Sequence, residues 1–201
     1  MNPFLPDEVE ALRALVRTWP NSEMVILGAG ALRCFMPMSW RTTEDLDLSV
    51  AASIEEATAA LSLLPGWSSD PRQEQRWRTP AGIAVDIVPA STEALARRYV
   101  EWPRSGFRMS LLGMRLAFEH AVVLRIAADV EVRVAPIHVI SVLKMIAYLD
   151  RPEVRAKRRH AELVAKNPSH VHSESAILSA INQRDEFDST REIAPLRCPA
   201  V

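Results

Sequence analysis

A chain of 201 residues with 48% hydrophobic content can bury a genuine core, as one domain or as a core domain with a small helical appendage, which excludes wholesale disorder. Lysine and arginine number 24 against 25 acids, and the formal charge of −1 excludes a global attraction for nucleic acid or an anionic membrane. With no uninterrupted apolar run of roughly 18 residues, no basic-then-apolar leader and no metal-ligand spacing around Cys34 or Cys198, the expectation is a cytoplasmic protein with free thiols and no membrane association.

Residues 7–19, DEVEALRALVRTW, place Val9, Leu12, Leu15, Val16 and Trp19 at helical spacing behind acids that suit a helix dipole, which predicts an amphipathic first helix. MVILG, residues 24–28, is a short β-branched run that stops at glycine, and ALRCFM after it can be helical. DLDLSV alternates strictly, with Asp45, Asp47 and Ser49 on one face and Leu46, Leu48 and Val50 on the other, and is read as a strand. Ser53 and Glu56 form a capping-box pattern opening a helix that ends near Pro65 and Gly66. RQEQRWRTPAGIAVDIVPA predicts two strands about a Pro-Ala-Gly turn, the second central because it is apolar apart from Asp86. Residues 91–115 carry no clear element. VVLRIA and VEVRVA flank Ala-Asp as a further hairpin, and from about residue 138 the character turns helical through HVISVLKMIAYLD, EVRAKRRHAELVAKN and residues 173–182. The order predicts an α+β fold: a sheet core with an N-terminal helix over 1–135, a helical region over 136–185 and a loose tail over 186–201.

Aspartate is disfavoured in strands, and burying one is costly unless a cation or donors compensate it. Asp45 and Asp47 share a face, and Asp86 on a neighbouring strand would complete a three-carboxylate cluster of the kind that holds two Mg²⁺ ions about a transferring phosphate. The alternative is a solvated face, with Asp86 at a strand end. A calcium-binding EF-hand loop starting at Asp45 is ruled out by Val50, where that loop needs glycine. Gly28, Ala29 and Gly30 lie between strand and helix, where backbone N–H groups can meet phosphate; they serve equally well if they only let helix and strand pack closely. Arg33 breaks the Gly-x-Gly-x-x-Gly spacing of a dinucleotide fold, and the Gly-Lys-Ser/Thr ending of a P-loop is missing.

Taken together, LGAGALR, RTTEDLDLSV, AVDIVPA and VLKMIAYLDR resemble the nucleotidyltransferases of the DNA polymerase β superfamily, in the AbiEii-like group associated with abortive infection and toxin–antitoxin systems. The resemblance covers roughly residues 24–165 and implies a mixed sheet flanked by helices. Thr43-Glu44-Asp45-Leu46-Asp47 matches the Ser/Thr-Glu-Asp-Leu-Asp pattern, Asp86 the third acid, and Lys144 and Arg151 a lysine with a basic residue seven positions on. By that resemblance Asp45, Asp47 and Asp86 are catalytic and bind Mg²⁺ in a two-metal site. Gly28, Ala29, Gly30, Thr43, Lys144 and Arg151 then meet a nucleoside triphosphate, and a nucleoside monophosphate passes to a hydroxyl on RNA, protein or a small molecule, with a cognate antitoxin as partner. Two departures stand out: Ala29 where a second glycine or serine is usual, and Arg159 where many relatives carry an acid. They keep open a catalytically degenerate nucleotide-binding module, beside an antibiotic-type transferase. Thr43 and Ser49 are further hydroxyl candidates, or solvated strand residues.

Four weaker features remain. Residues 144–166 carry seven basic side chains against three acids, which suits an RNA acceptor, the nucleotide, or an ordinary solvated helix face. His170-Val171-His172 reads as surface rather than metal-binding, and His120 and His138 as structural. Met36, Met38 and Met114 read as packing residues. Trp40 reads as buried, with base stacking the alternative.

Overall fold

The structure is a computed structural model that describes residues 2–20, 23–36 and 45–149. The chain divides into two compact units, Met1–Arg151 and Pro152–Val201, and every described element belongs to the first.

Helix α1 (Pro6–Thr18) starts at a proline, whose missing N–H is no loss in a first turn, and carries Asp7 and Glu8 at its positive end and Arg17 at its negative end. Its stripe of Val9, Leu12 and Leu15 is buried against β9 (Val130–Val134). Strand β1 (Met24–Ile26) is buried at every position and leads into the short helix α2 (Gly28–Arg33). The strict alternation of DLDLSV is realised as β2 (Asp45–Val50). Helix α3 (Ile54–Ser62) opens on the predicted capping box, with the Glu56 N–H donating to Ser53 Oγ at 3.1 Å and the Ser53 N–H donating to Glu56 Oε2 at 2.8 Å. It ends three residues before Pro65.

The Pro-Ala-Gly turn joins β4 (Arg76–Arg78) to β5 (Ala84–Pro89), and β3 (Ser68–Ser69) pairs on the outer side of β4. The span 91–115, which shows no pattern in sequence, is ordered. Helix α4 (Thr92–Arg97) is capped by Ser91, a hairpin pairs β6 (Tyr99–Glu101) with β7 (Arg108–Ser110), and helix α5 (Met114–His120) follows. Strands this short offer too few residues for alternation to register, and buried Val100 and Trp102 anchor the hairpin instead. Strand β8 (Val122–Ala127) pairs with β9 as foreseen, and helix α6 (Ile137–Leu149) packs against α2 and α5.

Seven strands form one mixed sheet in the order β3-β4-β5-β2-β1-β9-β8, with helices flanking it. The central pair β2 and β5 runs parallel, and β5 is antiparallel to β4, β2 to β1. Leu12, Leu15, Ile26, Leu46, Leu48, Leu61 and Ile87 are fully buried, each contributing about 1.5 to 3 kcal/mol of transfer free energy. This α+β architecture is the one expected. Among the described residues no helix is long and apolar enough to cross a membrane.

Candidate functional site

The apolar face of β2 fixes its polar face. Leu46 and Leu48 are fully buried, so the alternation sends Asp45 and Asp47 to the other side of the sheet. In the parallel pairing with β5, Asp47 stands directly opposite Asp86, and in the antiparallel pairing of β5 with β4, Asp86 stands opposite Arg76. Directly opposed residues project to the same face, so three carboxylates and one guanidinium converge on one patch of sheet.

The guanidinium grips two of the acids. Arg76 Nε donates to Asp86 Oδ1 at 2.7 Å and Arg76 Nη2 to Asp86 Oδ2 at 2.7 Å, a two-pronged contact, while Nη2 also reaches Asp45 Oδ2 at 3.0 Å. Asp86 is the third residue of β5 with its side chain 15% exposed, which corrects the strand-end alternative for it, while the Asp45 side chain is 35% exposed. Asp47 lacks such a grip. Burial pushes its carboxyl up to about 6, with Asp45 and Asp86 pushing the same way against the opposing charges of Lys144 and Arg76. Lys144, exposed on α6, is thereby brought within electrostatic range of the acids.

The glycine turn serves this patch from behind. Gly28 has φ +59° and lies against Asp47, so that a Cβ there would overlap the carboxylate. The Leu27 N–H donates to the Asp47 carbonyl at 2.8 Å, tying turn to strand. A Cβ on Gly30 would touch Ile26 and Leu46 at 3.6 Å, so Gly30 sits where helix and strands pack closely. Gly28, Ala29 and Gly30 are all buried.

Other sequence candidates fall elsewhere. Ser49 is fully buried and its hydroxyl donates to the Val88 carbonyl at 2.9 Å, which corrects both the solvated and the ligand-contact readings of that residue. It stands toward the far end of β2, the end from which the chain leads into α3. His120 and His138 are exposed and meet edge to face, ring centroids 6.2 Å apart. Met114 is buried and Met36 exposed. Thr43, Arg151, Met38, Trp40, His170, His172, the basic run beyond Leu149 and the helices expected over 153–167 and 173–182 lie outside the described residues. Arg76 is the site residue that sequence reasoning missed. Its signal was a basic residue next to buried Trp77 on a short strand one hairpin away from Asp86.

Among the described residues no three His, Cys, Asp or Glu side chains stand together as a metal cage; the Arg76 guanidinium stands among the acids instead. The acids offer only carboxylate oxygens, the donor type that a hard divalent cation takes, and Arg76 Nη2 is shared between oxygens of β2 and β5. A separate cleft of about 340 Å³ opens at the other ends of β2 and β5, lined by Ser53, Pro89, Ser91, Arg97 and Trp102. The hydroxyls of Ser53 and Ser91 there already accept the backbone N–H groups of Glu56 and Ala94.

Two family models match the chain. The family described as "Nucleotidyl transferase AbiEii toxin, Type IV TA system" matches residues 10–161, which is well over half of the chain and contains all three aspartates. A cytidylate kinase family matches residues 126–200. Similarity to curated proteins is of the second kind. The chain is 53% identical over 45 residues to a cytidylate kinase of Azorhizobium caulinodans, covering 22% of this chain and 21% of that protein. It is 51% identical over 59 residues to one from Chloroherpeton thalassium, covering 28% and 25%. The chain thus spans about a fifth to a quarter of the length of the curated relatives it matches.

Proposed function

Because the chain belongs to the AbiEii nucleotidyl transferase toxin family, we propose that it transfers a nucleoside monophosphate from a nucleoside triphosphate to an acceptor hydroxyl with Mg²⁺ as cofactor. One observation carries this reading: Asp47 and Asp86 face each other across parallel strands, with Asp45 on the same face. Asp45, Asp47 and Asp86 would hold the metal, which supplies charge to neutralise the triphosphate and to acidify the acceptor hydroxyl. The acceptor oxygen forms its bond to the α-phosphorus as the bond to the β-phosphate oxygen breaks. Pyrophosphate leaves with that electron pair, and the hydroxyl proton passes to the Asp86 carboxylate. Lys144, whose charge bears on Asp47, would offset triphosphate charge, and Thr43 and Arg151 would be further contacts. Gly28 keeps the Asp47 carboxylate clear of any side chain from the turn. The family's toxin–antitoxin description supports a cognate antitoxin as partner, acting on a protein that modifies RNA, protein or a small molecule.

The cytidylate kinase likeness at the C-terminal side supports cytidine nucleotides as the first donors to test. It also favours a second reading, a phosphotransferase acting on a cytidine monophosphate. The 201 residues contain no Gly-x-x-x-x-Gly-Lys-Ser/Thr loop to cradle the phosphates for that chemistry.

The test is incubation with each α-labelled triphosphate, CTP first, with Mg²⁺ and a cell extract, beside unlabelled CMP with γ-labelled ATP. Label entering RNA, protein or a small molecule supports nucleotidyl transfer and names the acceptor, and Asp45→Asn abolishes it. Formation of labelled CDP supports the kinase. Nucleotide binding with no transfer of any label points to the degenerate module.

A further inference from the structure

We propose that Arg76 is a displaceable internal counterion, one that competes with the divalent cation for Asp86 and Asp45 and so sets how tightly the acidic cluster takes up metal. This rests on the metal-dependent reading above and adds to it a residue and a control. Arg76 donates to both oxygens of Asp86 and one of Asp45, so among the described contacts the other Asp45 oxygen and the Asp47 carboxylate receive no hydrogen bond from it. A cation that takes Asp86 as a ligand must therefore draw an oxygen away from the guanidinium and overcome its positive charge at close range. The contact is strong enough to matter. It is two-pronged, both bonds to Asp86 are 2.7 Å long, and the Arg76 side chain is 21% exposed. It is also open to exchange. Arg76 lies on β4, only three residues long, between the central pair and the two-residue strand β3, so the guanidinium projects from the weaker flank of the sheet while the acids sit on its centre. Lys144, by contrast, acts on Asp47 by charge, with no hydrogen bond to the acids among the described contacts.

The experiment is titration of the full chain with Mn²⁺, followed by calorimetry and by the electron paramagnetic resonance of the free ion, neither of which needs turnover. Arg76→Gln keeps a neutral polar side chain and removes the competing charge, so Mn²⁺ affinity is expected to rise by about tenfold or more. Arg76→Lys keeps the charge but cannot span both carboxylates, and a rise of about threefold is expected. Should Arg76→Gln fail to fold with Asp86 left uncompensated, the lysine variant decides alone. Affinity unchanged or weakened in the variants, with wild type still binding and Asp45→Asn not, overturns the counterion while leaving the metal site standing. Absence of saturable Mn²⁺ binding in wild type and variants alike removes the metal site, and the counterion role with it.

Discussion

Asp47 is the acid whose charge the fold compensates least, and that makes it a reporter on the site. Its carboxyl titrates near 6 in the folded chain against 3.8 in an unfolded one. Well below pH 3.8 both states hold the proton and Asp47 is neutral toward folding. As pH rises toward 6 the unfolded chain releases the proton first, so stability falls through that window and the penalty is complete above it. Without metal, Asp47→Asn should therefore raise stability at pH 7.5, by up to about 3 kcal/mol, with the gain vanishing below about pH 3. Thermal melts across pH in chelator read this directly, and a gain independent of pH would contradict the assignment. Gly28→Ala should do the reverse. It sets a side chain at φ +59° and into the Asp47 carboxylate, costing about 2 kcal/mol or more and displacing the acid, so both the urea midpoint and the Mn²⁺ affinity should fall. Cys34 gives a third check at this scale. Burial pushes its thiol up to about 11 and its Sγ donates to the Gly30 carbonyl at 3.6 Å, so in a Cys198→Ser background iodoacetamide should label it slowly at pH 8 and rapidly in urea.

Between elements, the joint of α1 with α2 concentrates unusual energy. The Glu8 carboxylate, 5% exposed, receives two bonds from Arg33, at 2.8 and 3.2 Å, and one from the Leu5 N–H at 2.8 Å, and Phe4 lies under the same guanidinium. Removing one partner of such a pair strands the other, so Glu8→Ala should cost about 3 kcal/mol, and Glu8→Ala with Arg33→Ala less than the sum of the two. A urea-unfolding double-mutant cycle measures that coupling. Elements of this kind separate what could be read in the sequence from what could not. The helix of residues 7–19, the alternating strand at 45–50, the capping box and the β4–β5 and β8–β9 hairpins were legible because each repeats a period or carries a characteristic turn or cap residue. Strands β3, β6 and β7, of two or three residues, were not, since a period needs length to show itself. The aspartates were legible as a set because a charged residue inside an apolar strand is conspicuous. Arg76 was not, because arginine on a short strand is ordinary until pairing brings it opposite Asp86. Nor did Ser49 announce that its hydroxyl closes onto β5, which only the register reveals.

For the molecule as a whole, the division at Arg151 implies that a chain ending there unfolds cooperatively in urea, with a midpoint close to that of the full chain. A broad or early transition would show that the first unit depends on the second. Within that unit the acids stand on the most heavily paired part of the sheet. Strands β2 and β5 are matched residue for residue from Asp45 and Ala84 to Val50 and Pro89. Their spacing is therefore dictated by backbone bonds and owes nothing to the surrounding loops. Segments around the rim can lengthen, shorten or change composition over generations without loosening the central acids. On the proposed function, the choice of acceptor would then fall to these peripheral segments, with Asp45, Asp47 and Asp86 held in place by the paired strands.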